Sequence, residues 1–341
     1  MNIERRLVRK NSLEKLFEIL KQNKKSVFAP VVKNGKASFK TVESFSTVAE
    51  DYIQTTQSSK ELVFPRVEKF LDYEKNGKDV SVKGFDYQNV PDTVLWGVRP
   101  CDTIGFGALN SIFNWDYKDE IYNARLAKTT ILSFSCNKSD EYCFCTSVGG
   151  NPGSTAGSDI LFTKLGADGD YLAEVITEKG QAIVALAPGL FEKADTADKE
   201  KYLADVPVKF NQKEISERLE KFFKSEKWVE ASLKCLGCGA CAFVCPTCAC
   251  FDIQDEEHGK TGSRMRCWDS CGYAQFTVHT SGHNPRSVQS QRWRQRIMHK
   301  FSYMPERLSV YGCTGCGRCS RACPADMNIL EHLISIQEVK L

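Results

Sequence analysis

The chain has 341 residues, 16 of them cysteine, and a formal net charge of +3. Its 42% hydrophobic and 26% charged content is that of a folded globular protein, which excludes a disordered or fibrous chain; the nearly balanced charge argues against a dedicated nucleic-acid binder. No run of 18 apolar residues occurs, so no membrane span is expected, and the charge-studded segment up to Gln22 does not read as a secretory signal. A cytoplasmic protein is expected, where thiols stay reduced and structural disulfides are rare. So many cysteines then need another role, and metal binding is the first to consider.

The first two thirds read as α/β. From Glu4 to Gln22, Leu7, Leu13, Leu16, Phe17 and Leu20 suggest an amphipathic helix. Ser26–Val32 and Thr93–Val98 read as short strands, Asp102–Phe113 as a helix after the second, and Thr129–Ser135 as another buried strand. Asp159–Leu165 and Tyr171–Thr177 read as a strand pair around Gly166-Ala167-Asp168-Gly169, and Ala182–Ala187 as a further strand. Asn211–Lys227 reads as a charged connecting helix. Gly105-Phe106-Gly107 begins a dinucleotide-like pattern, but Asn110 stands where its third glycine belongs; the run reads as a helix packed on the sheet.

Cysteine placement divides the chain. None occurs before Cys101, four lie between Cys101 and Cys145, and twelve crowd into the segment from Cys235 onward. Cys235-Leu-Gly-Cys238-Gly-Ala-Cys241-Ala-Phe-Val-Cys245-Pro246 is a full C-x2-C-x2-C-x3-C-P run, and Cys313-Thr-Gly-Cys316-Gly-Arg-Cys319-Ser-Arg-Ala-Cys323-Pro324 is a second. Both resemble the bacterial two-cluster ferredoxins. Three cysteines on a tight loop reach three irons of one cube, with Gly237, Gly239 and Gly315 letting backbone N–H groups approach sulfur. The fourth cysteine starts a helix that carries it to the other cube. Cys235, Cys238, Cys241 and Cys323 are therefore expected on cluster 1, and Cys313, Cys316, Cys319 and Cys245 on cluster 2. Zinc is the competing reading, since it also accepts four thiolates, but zinc sites do not need the third Cys, the x3 step and the Pro twice over. Each cube with its thiolates carries roughly −2, so two cubes move the chain's charge to about −1.

The N-terminal four also fall at places where α/β folds put sites. Cys101 follows one strand, Cys136 follows another, and Cys143 and Cys145 form a C-x-C just beyond, before Gly149-Gly150-Asn151-Pro152-Gly153. They are expected to hold a third [4Fe-4S] cluster; a set of buried free thiols is the alternative. Cys248, Cys250, Cys267 and Cys271 sit in the long insert between the two runs, at spacings that match no standard cluster motif; buried thiols around the clusters are the expectation there, with a fourth cluster as the alternative. The insert also holds a basic stretch from Arg286 to Lys300, with Arg292, Arg294, Arg296 and His299. It can dock an acidic partner, shield cluster charge or be a solvated helix face. Trp293 within it reads as a packing anchor. Arg318 and Arg321 are candidates for raising the potential of cluster 2, against surface salt bridges as the plain reading. His258, His279, His283, His299 and His332 are scattered and read as structural.

The fold expected is an α/β N-terminal domain over 1–225, carrying the third Fe–S site, plus a C-terminal α-helical, two-[4Fe-4S] ferredoxin-like domain with a long insert over 226–341. The combination of Arg99-Pro100-Cys101-Asp102, Cys143-Phe144-Cys145, Cys245-Pro246-Thr247-Cys248-Ala249-Cys250, Trp268-Asp269-Ser270-Cys271 and the second cluster run resembles, from about residue 25 to 335, one family: the 4Fe-4S dicluster electron-transfer subunits of anaerobic sulfite reductase and of sulfhydrogenase, where the member is the β chain. Gly282-His283-Asn284-Pro285-Arg286 looks closer to the hydrogenase branch, and Cys267 is not part of the family pattern. The resemblance implies a non-catalytic electron-transfer subunit. It would relay electrons between a flavoprotein partner, which carries the flavin and handles NAD(P)H, and a terminal catalytic subunit of hydrogenase or sulfite reductase type. The alternatives are a self-contained flavin and Fe–S oxidoreductase with its substrate site in the N-terminal domain, and a zinc-stabilised interaction scaffold.

Overall fold

A computed structural model describes residues 3–166, 169–194 and 198–339. The chain opens with strand β1 (Glu4–Val8), helix α1 (Ser12–Gln22) and the hairpin β2 (Ser26–Lys33) and β3 (Lys36–Val42). The expected helix from Glu4 is thus a strand and a helix. Leu13, Leu16, Phe17 and Leu20 keep helical spacing and are buried, whereas Leu7 is out of phase with them. Residues Glu4–Val8 instead pair antiparallel with a later strand, Leu7 opposite Leu172.

A second hairpin, β4 (Val67–Asn76) and β5 (Asp79–Gly84), precedes β6 (Thr93–Val98), α2 (Pro100–Phe113), α3 (Glu120–Ala127) and β7 (Thr129–Phe134). Then come β8 (Ile160–Lys164), β9 (Tyr171–Val175), α4 (Glu178–Leu186) and β10 (Glu192–Lys193). The β8–β9 pair is antiparallel as expected; Ala167 and Asp168 of its turn lie outside the described residues. Ala182–Ala187 is not a strand but most of α4. Thr177 caps that helix by accepting from the Gly180 N–H, and Ala and Leu favour the helix once it is started.

These strands form one eight-stranded sheet in the order β10-β1-β9-β8-β7-β6-β2-β3, with β2, β6, β7 and β8 parallel. Val94 and Trp96 of β6 join α1 in the core on one face, while Leu95 and Val98 join Phe106, Leu109 and Phe113 of α2 on the other. A bulge between Trp96 and Val98 puts Val98 on the same side as Leu95. The chain leaves β6 directly into α2 with Pro100 in its first turn. Cys101 and Cys136 thereby sit beyond the C-terminal ends of two adjacent parallel strands.

The C-terminal part contains α5 (Gln212–Phe222), α6 (Lys227–Ser232), α7 (Ala240–Phe243), the hairpin β11 (Phe251–His258) and β12 (Thr261–Trp268), then α8 (Gln289–Met298), α9 (Met304–Leu308), α10 (Arg318–Arg321) and α11 (Ile329–Glu338). The connecting helix expected through Lys227 stops at Phe222, and α6 follows. The expected all-helical character of this part is corrected by the insert hairpin. Its β12 pairs with β4, making a four-stranded sheet β11-β12-β4-β5 that spans the expected 225/226 boundary. Trp268 at the end of β12 packs on Phe64, and its indole N–H donates to the Phe64 carbonyl at 3.1 Å. Trp293 and Ile297 of α8 pack with Leu219, Trp228, Ile329 and Leu333 in a separate helical core.

Candidate metal centres

All 16 cysteines are free thiols. Cys235, Cys238, Cys241 and Cys323 line one cavity of about 40 Å³, room for a multi-atom group rather than a single water. The loop before α7 supplies Cys235 and Cys238, α7 itself supplies Cys241 and the turn after α10 supplies Cys323, so both sequence runs contribute. Cys319, Cys271, Gln289 and Arg296 complete part of the wall. The Gln289 side-chain amide donates to Cys235 Sγ at 3.0 Å, and the Met327 N–H donates to Cys323 Sγ at 3.2 Å. Such donors stabilise negative charge on sulfur.

Cys313, Cys316, Cys319 and Cys245 are the second set. Cys245 and Cys319 lie close enough to both Cys313 and Cys316 to raise their pKa by charge repulsion. Burial is the larger cause, pushing Cys313 up to about 12. Lys300 enters this site from the end of the basic stretch. Its ammonium donates to Cys245 Sγ at 3.3 Å, Thr247 Oγ1 at 3.1 Å and the Gly312 carbonyl at 2.6 Å. Arg296 donates to the Cys241 carbonyl at 3.0 Å and to Cys248 Sγ at 3.6 Å. Both cations are 4% exposed, and the anionic groups that most favour their charge are thiols, not carboxylates. The Arg296 Nε is buried without a partner.

That arrangement answers the question left by the basic stretch. A buried cation costs several kcal/mol unless an anion compensates it. Neutral thiols do not supply that charge, whereas cubes with their thiolates do. The residues present therefore fit anionic clusters. Arg292 turns to Gln289 and to backbone carbonyls, and Arg294 lies 3.9 Å over the Phe223 ring. Trp293 is buried in the helical core, as its packing role requires.

Cys101, Cys136, Cys143 and Cys145, the third set, line a second cavity, of about 30 Å³, together with Cys316. Burial raises the pKa of all four, Cys145 to about 12. Free, these thiols stay protonated, and only a bound cation draws them into thiolates. The Gln54 amide donates to Cys101 Sγ at 3.2 Å. The loops of the second and third sets touch: the Phe144 N–H donates to the Gly315 carbonyl at 3.0 Å. Gly315 has φ +63°, and a Cβ there would stand 2.5 Å from the Cys145 backbone nitrogen, so only glycine allows the approach. Gly105 of α2 has a similar reason. A Cβ there would come within 2.8 Å of Pro246, so its place in the interrupted glycine pattern reflects packing against the cluster loop.

Arg318 and Arg321 are not free surface charges. Arg318 is 2% exposed and pairs with Asp102. Arg321 pairs with Asp140, donates to the Cys316 carbonyl at 2.8 Å and reaches Cys143 Sγ at 3.6 Å, spanning the second and third thiol sets. Cys267 sits on β12 opposite Asp252, apart from these cavities. His299 is pushed down to about 4 by burial, then by Lys300 and Arg296, and stays neutral at ordinary pH. Gln54, Gln289 and Lys60 carry no sequence signal and are seen only in the fold.

Residues 234–327 match the family model of the 4Fe-4S dicluster domain. The sequence is 31% identical over 323 residues to sulfhydrogenase 2 subunit beta of Pyrococcus furiosus, covering 92% of this chain and 92% of that relative. No solved structure matches the chain. No helix among the described residues is long and apolar enough to cross a membrane. Similarity over 92% of both chains and the dicluster match, beside two thiol-lined cavities on one fold, lead to a single conclusion: the chain belongs to the 4Fe-4S dicluster electron-transfer family that includes the sulfhydrogenase β chains and their counterparts in anaerobic sulfite reductase.

Proposed function

We propose that this iron–sulfur protein is a three-station wire, with cluster 2 in the middle. Cluster 1 belongs to Cys235, Cys238, Cys241 and Cys323; cluster 2 to Cys313, Cys316, Cys319 and Cys245; cluster 3 to Cys101, Cys136, Cys143 and Cys145. When bound, [4Fe-4S] clusters supply reversible one-electron redox change. The chain's own residues support this order. Cys316 forms part of the cavity at the third thiol set and Cys319 part of the cavity at the first, so the second loop adjoins both. That shared wall is the observation that carries the reading. Residues 1–225 and 226–341 act as the two cluster-bearing domains, held together by the β12–β4 pairing and the Gly315 seam.

The cluster 1 end of the wire is more accessible than its middle. Cys238 is exposed, with Leu236 and Leu233 beside it 71% and 76% exposed, while Cys245 and Cys316 are buried. The Cys238 edge receives one partner of the complex. The two partners are a flavoprotein that handles NAD(P)H and a terminal catalytic subunit of hydrogenase or sulfite reductase type, and the flavin resides on the former.

Iron and acid-labile sulfide counts on anaerobically prepared full chain test the reading. About 12 irons per chain are expected, against about 8 if only the C-terminal pair exists. Zinc without labile sulfide would overturn the assignment entirely. Bound flavin with NAD(P)H-dependent dye reduction by the isolated chain would instead make it a self-contained oxidoreductase.

A further inference from the structure

Three thiols near the clusters have no place in the sets above: Cys248, Cys250 and Cys271. Cys248 lies against Cys245. The other two lie against each other at the base of the insert hairpin. The Cys250 carbonyl accepts from the Asp269 N–H at 2.9 Å, just beyond the Phe251–Trp268 pair that closes the β11–β12 ladder. Two residues after Asp269, the Cys271 side chain and backbone N–H both meet the Cys250 sulfur.

The surroundings suit sulfur chemistry. Lys60 is 3% exposed, with its ammonium held by the Cys248 carbonyl at 2.8 Å and the Ala242 carbonyl at 3.2 Å and lying 4.0 Å over the Trp268 ring. The hydrogen bond from Cys271 pulls the Cys250 thiol down and the Lys60 charge adds to it, while the same hydrogen bond and burial push Cys271 up, so one thiol of the pair is the better nucleophile and the other holds the proton. Cys271 also stands in the wall of the cavity formed by Cys235, Cys238 and Cys241. A fourth cluster on Cys248, Cys250 and Cys271 would lack a fourth thiolate, because Cys267 is held on β12 opposite Asp252.

We propose that Cys250 and Cys271 are a redox-active dithiol that closes to a disulfide and trades electrons with the iron–sulfur group beside it. The balance is simple. Two thiols lose two protons to water and two electrons as one S–S bond forms. The electrons leave singly to oxidised iron–sulfur acceptors, and the reverse step takes two electrons and two protons back. A wire that moves one electron at a time thereby gains a site that stores a pair, at the end nearest cluster 1. The inference rests on the cluster reading above.

The test uses the full chain, prepared anaerobically and poised either oxidised or dithionite-reduced, with rapid alkylation and peptide mass spectrometry. Both thiols are half-buried and within reach of a small alkylating reagent after unfolding. Oxidised protein should yield a linked Cys250–Cys271 peptide, and reduced protein should yield both peptides alkylated. Cys250→Ser should keep the wild-type iron and sulfide content and take up about two fewer electrons per chain in a reductive titration. Alkylation of both cysteines in the oxidised wild type would overturn the dithiol. Loss of iron from Cys250→Ser would overturn it too, by making Cys250 a cluster ligand. A wild-type iron count near zero would sink the cluster reading, a result distinguishable from failure of the dithiol alone.

Discussion

Arg318 Nη1 and Nη2 donate to the two oxygens of Asp102 at 2.8 and 2.5 Å, and both side chains are essentially inaccessible to water. The pair ties α10, on the second cluster loop, to α2, on the third. Arg318 also donates to the Thr55 carbonyl at 2.9 Å and to Thr55 Oγ1 at 2.8 Å, so its charge is fully engaged. Burial pushes the Asp102 carboxyl up, and Arg318 beside it pulls back down.

Removing one member leaves the other charged and unpaired in the interior. Asp102→Ala or Arg318→Ala should therefore destabilise the chain by about 3–5 kcal/mol, while a double Asp102→Leu, Arg318→Met variant should recover much of that loss. Anaerobic denaturant titration with iron retained checks both. Singles within about 1 kcal/mol of wild type would show that the pair does not join the two loops.

The proposed crossed ligation makes an unusual demand on mutants. Cys323 is ten residues from Cys313 in sequence, yet it shares a cavity with Cys235, Cys238 and Cys241. Cys323→Ser should perturb the reduced-state EPR signal of cluster 1 and leave that of cluster 2 intact. Loss at cluster 2 would replace the crossed sets with uncrossed ones. Cys101→Ser and Cys143→Ser should each lower the iron count by about four, and an unchanged count would remove cluster 3.

The dicluster region is legible because three of the four ligands proposed for each cluster are local: a tight loop must present three thiols in sequence, and the spacing survives as text. Cys101 and Cys136 are legible more weakly, through strand ends that a parallel sheet brings side by side. Other features are set by contacts far apart in the chain and leave no local trace. The Glu4–Val8 strand exists because β9 offers it an edge, and the hairpin Phe251–Trp268 is anchored by β4, which precedes it by most of the chain. The same holds for Gln54 on Cys101 and Lys60 under Trp268. In the basic stretch the charges are visible, but helix phase and burial decide which of them turn inward: Arg296 and Lys300 are buried, four residues apart on one side.

Lys300 gives the most direct electrostatic prediction. Reduction adds negative charge, which a buried ammonium 3.3 Å from Cys245 Sγ stabilises. At an effective dielectric near 20, one charge several ångströms away is worth about 2–3 kcal/mol, or on the order of 100 mV for one electron. Lys300→Met should lower the cluster 2 midpoint by that order with iron content unchanged, and Lys300→Arg should restore most of it. A merely structural lysine would leave the potentiometric midpoint where it was.

Leu236 tests the proposed docking edge. It stands between Cys235 and Cys238, is 71% exposed and does not appear in the helical core. An apolar side chain left in water next to the most accessible cluster ligand contributes little to folding, since its burial on folding is small. Its burial by a partner would contribute to binding instead, at the point where the distance between redox groups is shortest. Leu236→Asp should leave iron content and stability near wild type, but weaken the partner complex roughly tenfold. The electron-transfer rate at saturating partner should fall less than the affinity, because the substitution removes contact without moving a ligand. Val82, 61% exposed on the distant β5 hairpin strand, is the control: Val82→Asp should leave partner binding unchanged. Equal loss at both positions would show that the effect is general surface charge and place the partner elsewhere.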